Sequence, residues 1–458
     1  MSGRLIVVSN RIPTGEEAPS GGLVVALHEA LTEGGGLWIG SHPEPAGEPT
    51  GELVDLPGNG YGKKAFRLTA EERQNYYLGY ANSVLWPLCH RRSDLIAFER
   101  AFAEGYLEVN RRVARAVAAL AGPEDLIWVH DYHFLPLAAM LRAEGVTARI
   151  GLFLHIPFPV LADLDALPER EDFPGWIAAF DVVGLQTEAD VARCREVFRF
   201  EPGGEPLPGD RLRYRNRVFT ARAFPIGIDV EAFAQAASLG GGEYLVNLGR
   251  REDLVIGVDR LDYSKGLPNR FRAFGLFLDR QEKGDRRASL LQIAPPSREE
   301  VGAYQDIRDE LERLSGCING RHAELDWTPI RYIHRGLPRE QLAVLYRVAR
   351  VGLVTPLADG MNLVAKEYVA AQDPANPGVL VLSRMAGAAE ELTEALLVNP
   401  YDVEEMALAI DAALAMPLAE RQRRHRRLME AVRESDVGRW RRACLDALRR
   451  VGRPVPVT

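Results

Sequence analysis

Along the whole chain, short runs that are apolar throughout alternate with longer stretches of helical period. The apolar runs predict strands at Leu5–Ser9, Leu126–His130, Arg149–His155, Asp181–Gln186, Val255–Asp259, Leu290–Ala294, Val351–Thr355 and Val379–Ser383. Amphipathic stretches at Phe98–Leu120, Glu188–Phe198, Asn269–Gln281 and Glu299–Leu314 predict helices between them. Runs without polar alternation suit strands buried on both faces. Their regular exchange with helices predicts an α/β fold of parallel sheets covered on both sides. The rhythm breaks near residues 236–250, at Ala236-Ala-Ser-Leu-Gly-Gly-Gly242, and restarts at Leu254. Two doubly wound, Rossmann-like domains are therefore expected, residues 1–240 and 241–458, facing across a cleft. In such sheets ligands bind beyond the carboxyl ends of the strands. Pro417–Val451 reads as one or two amphipathic helices, the last expected to pack back on the N-terminal domain. Its arginine runs read as solvated faces.

Composition narrows the function classes. The 458 residues are 47% hydrophobic and 26% charged, enough for two ordinary cores. Lys and Arg number 56 against 64 Asp and Glu, a net charge of -8. That balance argues against nucleic acid as a partner, but a few arginines in one cleft can still hold a small anion. Cys89, Cys194, Cys317 and Cys444 are widely spaced and suggest buried reduced thiols, not a zinc site or disulfides. No apolar run is long enough to span a membrane. The N-terminus reads as a first strand and not a signal segment, so the chain reads as cytoplasmic. Homo-oligomerisation is neither specified nor excluded.

Polar residues cluster just past the predicted strands. After Leu5–Ser9 comes Asn10-Arg-Ile-Pro13, where Arg11 can grip a phosphate bidentately. Ser20-Gly-Gly-Leu23 then opens a helix, and Gly22 would let backbone N–H groups approach an anion. After Leu126–His130 comes Asp131-Tyr-His133, and the next strand ends in His155-Ile-Pro-Phe-Pro159. His130, His133, His155 and Asp131 at neighbouring strand ends suit sugar hydroxyls better than a metal, since no metal-ligand spacing occurs. No metal and no cofactor are expected. Trp38, Tyr76, Tyr77 and Trp86 are rings flanked by polar groups, equally suited to sugar faces or to the core.

In the second half the densest signal is Val258-Asp-Arg-Leu-Asp-Tyr-Ser-Lys-Gly-Leu-Pro-Asn-Arg270. Arg260 and Lys265 directly after a strand can neutralise a departing diphosphate, or pair with Asp259 and Asp262. The other signal is Thr355-Pro-Leu-Ala-Asp-Gly-Met-Asn-Leu-Val-Ala-Lys-Glu367. Backbone N–H groups of Met361, Asn362 and Leu363 at a helix start would point at a diphosphate. Asp359 and Glu367 would accept hydrogen bonds from sugar and ribose hydroxyls; the bland reading pairs Glu367 with Lys366. A Walker A loop is absent, and no GxGxxG follows the first strand, which disfavours NTP hydrolysis and dinucleotide-dependent redox chemistry.

With these segments in place the chain resembles the trehalose-6-phosphate synthase family, retaining glycosyltransferases of family 20 with GT-B architecture. The resemblance rests on SNRIP, GGGLW, NSVLWP, WVHDYH, HIPFP, GLQTE, DRLDYSKGLP, QIAPPSR, YQDIR, TPLADGMNLVAKEYVAAQ and VNPYD, in order from residue 9 to 402. It implies glucose transfer from a nucleotide-glucose, as substrate, to glucose 6-phosphate. By resemblance, Arg260, Lys265 and the amides near Asn362 and Leu363 hold the donor diphosphate, with Gly22 close to it. Glu367 takes the ribose, and Asp359 with His155 holds the donor glucose. Arg11, Tyr77 and Arg298 grip the acceptor phosphate, Trp38 and Trp86 shape its pocket, and Asp131 binds its sugar. The resemblance also implies front-face transfer, with the leaving phosphate oxygen deprotonating the incoming hydroxyl. No carboxylate pair offers the double displacement of a retaining glycosidase. Two stretches depart from the pattern: a short loop between Arg11 and Ser20, and Gly203–Arg215, which reads as surface. The alternatives are glycerol 3-phosphate as acceptor, a pseudo-glycosyltransferase joining cyclitol phosphates, and a non-catalytic sugar-phosphate sensor. The base of the donor has no side-chain signature.

Overall fold

The computed structural model describes residues 3–14, 22–58, 60–238, 252–281, 287–297 and 302–452. The chain divides into two compact units, Met1–Pro225 with Gly438–Thr458, and Ile226–Val437. The sequence places a boundary at residue 240 and returns the last helix to the N-terminal domain; the chain passes between the compact units at 225/226 and again at 437/438.

The first unit is built on a ten-stranded sheet. Its strands are β1 (Leu5–Arg11), β2 (Gly36–Ser41), β3 (Val54–Leu56), β4 (Gly62–Phe66), β5 (Leu126–His130), β6 (Arg149–Phe153), β7 (Val182–Leu185), β8 (Gly204–Pro206), β9 (Arg211–Tyr214) and β10 (Arg217–Ala223). Their order is β3-β4-β2-β1-β5-β6-β7-β10-β9-β8. From β4 to β10 neighbouring strands run parallel, as their continuous apolar runs predict: Ile6, Val7 and Val8 have no exposure at all. The antiparallel β8 and β9 form one edge. They occupy the 203–215 stretch read as surface, and β9 alternates exposed and buried positions as an edge strand should. Strand order reverses between β1 and β5, so residues 9–12 and 130–133 emerge side by side.

The second unit holds a six-stranded, wholly parallel sheet of β11 (Asp253–Val258), β12 (Ala288–Ile293), β13 (Ile330–Ile333), β14 (Val351–Val354), β15 (Val379–Ser383) and β16 (Leu396–Val398). The order β13-β12-β11-β14-β15-β16 puts its reversal between β11 and β14. Its core joins Phe271, Phe274 and Phe277 of helix Leu267–Arg280 to Val255, Leu290 and Leu353 of the sheet.

Two expectations need correction. Cys317 is exposed on helix Gly302–His322, so only Cys89, Cys194 and Cys444 are buried thiols. The arginine runs near the C-terminus are not wholly solvated. Arg421 and Arg441 are each 6% exposed. Arg421 donates to Asn376 Oδ1 at 2.9 Å. Arg441, on helix Val437–Arg450, pairs with Glu29 and Glu33 of helix Gly22–Gly34 in the first unit. Among the described residues no helix is long and apolar enough to cross a membrane.

Candidate active site

In the first unit the site grows from the ends of β1 and β5. Trp38 on β2 is 1% exposed, and its indole N–H donates to Ser9 Oγ at 2.8 Å. Ser9 Oγ in turn donates to the Arg11 carbonyl at 2.7 Å. The ring thus shapes the turn behind Arg11 from within the core. A capping box of Thr69 and Glu72 starts the next element. From Arg73 to Leu85 the chain then forms a thirteen-residue π-helix. Its wider turn is braced by Asn82 Nδ2 and Ser83 Oγ, each donating to the carbonyl five residues earlier. It carries Tyr76 to Asn10 Oδ1 at 3.1 Å and Tyr77 to within 3.5 Å of Arg11 Nη2. Tyr77 also stacks on His133, centroids 5.8 Å apart at 11°. Arg11 and Tyr77 line a cleft of about 640 Å³ with Asn10, His42 and Arg73. Trp86 is 4% exposed and stacks on His90 at 4.1 Å, beneath Tyr132.

Asp131 leaves β5 with φ 73°, in the left-handed region, which turns its carboxylate back to accept the His155 backbone N–H at 3.2 Å. His155 follows β6 and is partly exposed. Its Nε2 lies 3.1 Å from Nδ1 of His130. Burial depresses both imidazoles, His155 to about 3, so both are neutral near pH 7. His130 is 1% exposed, so its ring lies in the core while His155 is partly exposed.

In the second unit the ends of β11 and β14 meet at the strand-order reversal. Asp262 Oδ1 accepts Ser264 N–H at 2.9 Å and shapes a tight turn that ends at Gly266, φ 66°. A Cβ on Gly266 would come within 2.6 Å of the Thr355 carbonyl, so only glycine lets the β11 loop lie against the β14 loop. The loops are joined by Leu357 N–H to Ser264 O at 2.7 Å and by an ion pair between Lys265 and Asp359. Lys265 thus pairs across the reversal and not with Asp259 or Asp262. Asn362, φ 74°, turns its amide onto the same Asp359 oxygen at 3.0 Å and starts helix Leu363–Ala371. The N–H groups of that first turn have no acceptor within the helix. Met361 is buried and its carbonyl is taken by Ala388 N–H. Arg260 is exposed just past β11.

Glu367 sits one turn into the helix, its carboxyl pushed up to about 7 by burial, with Arg339 pulling it back. It does not pair with Lys366. That lysine, fully buried, turns to Glu391 at 2.6 Å, the Ile226 carbonyl at 2.9 Å and Ser435 Oγ at 3.3 Å. The strongest anchor that sequence reasoning missed is Arg270, with no exposure, bonded to Asp259, Gln292 and Thr355. Its only signal was a lone cation on an otherwise apolar helix face. Gly22 begins its helix within the described residues; Arg298, Ser20 and Gly21 lie outside them.

The arrangement offers a cationic, helix-started anion site in the second unit and an arginine–tyrosine cleft beside neutral sugar-type groups in the first. The sequence is 47% identical, over 97% of this chain and 98% of the other, to trehalose-6-phosphate synthase from Sinorhizobium fredii. The structure is similar to the alpha,alpha-trehalose-phosphate synthase (UDP-forming) of Burkholderia vietnamiensis, with TM-score 0.96, 47% identity and 98% of each chain covered. It is similar also to the UDP-forming synthase of Burkholderia xenovorans in complex with glucose-6-phosphate, with TM-score 0.92, 46% identity, and 98% and 100% of the two chains covered. Residues 4–450 match the pattern of glycosyltransferase family 20, and the chain belongs to that family of enzymes.

Proposed function

We propose that the chain transfers glucose from UDP-glucose to glucose 6-phosphate, forming α,α-trehalose 6-phosphate and UDP. The observation that carries the reading is the Lys265–Asp359–Asn362 cluster at the strand-order reversal of the second unit. It sets a cation and a sugar-type carboxylate beside an open helix N-terminus, as a diphosphate-linked sugar requires. Lys265 and Arg260 neutralise the diphosphate, the first-turn amides from Asn362 and Leu363 bind it, and Glu367 accepts from the ribose. Asp359 accepts from glucose hydroxyls. In the first unit Arg11 and Tyr77 hold the acceptor phosphate, while Asp131 and His155 present hydrogen-bonding groups to substrate sugars.

The step needs no protein nucleophile. The bond from glucose C1 to the diphosphate oxygen breaks, and a bond from C1 to the acceptor anomeric oxygen forms on the same face. The acceptor proton passes to the departing phosphate oxygen. Lys265 and Arg260 stabilise the charge that grows there, a kind of contribution worth about 3–4 kcal/mol per group.

The test is nucleoside diphosphate release from UDP-, GDP- and ADP-glucose, with glucose 6-phosphate and glycerol 3-phosphate offered separately. UDP release that depends on glucose 6-phosphate is expected. Release only with glycerol 3-phosphate would overturn the acceptor, and preference for another base would overturn the donor.

A further inference from the structure

We propose that His130 is a positioning residue that fixes the tautomer of His155, so that His155 presents an Nδ1–H donor to a substrate sugar oxygen. The inference rests on the proposed role of His155 toward a sugar.

The argument starts from a pair of ring nitrogens, His130 Nδ1 and His155 Nε2, 3.1 Å apart. Two imidazoles at that distance need one proton between them, because two lone pairs or two N–H groups would repel. Two arrangements satisfy this. In the first, His130 carries its proton on Nδ1 and donates; His155 accepts at Nε2 and carries its own proton on Nδ1. In the second the protons are reversed, and His130 holds N–H at Nε2.

The surroundings separate them. Among the described residues His130 Nε2 is buried without a hydrogen-bond partner, and so is Trp440 Nε1. Both belong to one aromatic cluster: His130 lies 4.5 Å from Trp128 and 6.4 Å from Trp440, centroid to centroid, and Trp128 lies 5.3 Å from Trp440. The indole nitrogen always carries hydrogen. The second arrangement would therefore strand two N–H donors in the same apolar cluster. The first strands one, and leaves His130 Nε2 as a bare lone pair. Buried unpaired donors are rarer than under-satisfied acceptors, so the first arrangement prevails.

The rest of the geometry keeps His155 in register with its partner. Its backbone N–H donates to Asp131 Oδ1 at 3.2 Å, and its carbonyl accepts from Gln186 Nε2 at 3.4 Å. The pairing of β5 with β6 sets His130 opposite Phe153, two residues before His155. With Nε2 engaged, Nδ1–H is the group left to serve a ligand. A neutral donor selects a hydroxyl oxygen and adds no charge that would attract a second phosphate.

The test uses the full chain with 15N-labelled histidine, the tautomer of His155 being read from its two ring-nitrogen shifts. Wild-type protein should show a protonated Nδ1 and a bare Nε2. His130→Leu removes the partner and should give a tautomer mixture. In His130→Asn the side-chain amide places an N–H where Nδ1 stood and should restore the wild-type pattern. In the transfer assay, His130→Leu should lose about tenfold in kcat/KM for the nucleotide-glucose, the scale of one neutral hydrogen bond, and His130→Asn should stay within about threefold. A proton on Nε2 of His155 in the wild type, or an unchanged tautomer in His130→Leu, overturns the proposal. Equal activity losses in both variants would reduce His130 to a packing residue and overturn it as well. Absence of any sugar transfer by the wild type would instead remove the functional reading, with the nuclear resonance result unaffected.

Discussion

Replacing Arg270 by methionine isolates the interaction that holds the second unit's strand ends together. The guanidinium has no solvent exposure and donates to Asp259 Oδ2 at 2.6 Å, Gln292 Oε1 at 2.9 Å and Thr355 Oγ1 at 3.1 Å. One side chain therefore ties the ends of β11, β12 and β14. Gly257 makes room for it, since a Cβ there would meet Arg270 Nη1 at 2.6 Å. Methionine keeps most of the volume and removes the cation. Asp259, 6% exposed, then becomes an uncompensated buried carboxylate. Breaking a buried pair from one side costs about 3–5 kcal/mol. The lost bonds to Gln292 and Thr355 are worth roughly 1 kcal/mol each, partly contained in that figure.

Protonation limits the cost and gives it a pH signature. Burial already raises the Asp259 carboxyl, and Arg270 is the first of the groups pulling it back down. Without Arg270 the folded-state value climbs further above the unfolded one. A carboxyl raised on folding holds its proton in the native state, so native stability is lost as pH rises from the unfolded toward the folded value. The Arg270→Met penalty should accordingly be smaller near about pH 5 than near about pH 8. In a two-unit chain no single global unfolding free energy is defined, so the measurement is amide hydrogen exchange of β11, β12 and β14, read by mass spectrometry. Faster exchange equivalent to about 4 kcal/mol at neutral pH is expected. Adding Asp259→Asn should recover most of it. A loss below about 1 kcal/mol, or one indifferent both to pH and to Asp259→Asn, would refute the reasoning.

Changes at three further residues follow from the same geometry. Glu367, pushed up to about 7, should lose its accepting charge as pH falls, so kcat/KM for UDP-glucose should drop below that pH, and Glu367→Gln should abolish this limb. Because a raised carboxyl costs native stability above its folded value, Glu367→Gln should also melt higher than wild type in alkaline buffer while binding donor less well. Lys265→Met should lower kcat by about 10²–10³, and Lys265→Arg should not restore it, because a fork cannot replace a point charge held against Asp359. Lys366→Met leaves Glu391 and the Ile226 carbonyl without their buried cation and should cost about 3 kcal/mol of local stability, read as faster amide hydrogen exchange of helix Leu363–Ala371.

What the sequence carried and what it withheld have one physical origin. Apolar runs reveal strands because a strand buried on both faces has no polar positions to spare; Leu126–His130 and Val379–Ser383 run as read. Loops after those strands carry the chemistry because strand ends are where a doubly wound sheet leaves polar side chains free. Which loops meet is decided by strand order, and order is not local in sequence. Lys265 had Asp259 and Asp262 within six positions, yet it pairs with Asp359, because β14 and not β12 follows β11 across the reversal. Glu367 had Lys366 beside it, but successive helical side chains diverge by about 100°, and that lysine turns toward Glu391. Trp38 and Trp86 offered no clue to burial, since an aromatic ring behind a ligand cleft and one facing it have the same neighbours in sequence. Arg270 was invisible for a related reason. A fully buried cation is stable only if its partners converge from separate strands, here β11, β12 and β14, and convergence is a property of the sheet. Residues that act through local backbone, such as Asp262 and Gly266, can thus be found by reading. Those that act by joining strands, among them Lys265, Arg270 and His130, acquire their role only when topology brings the strands together.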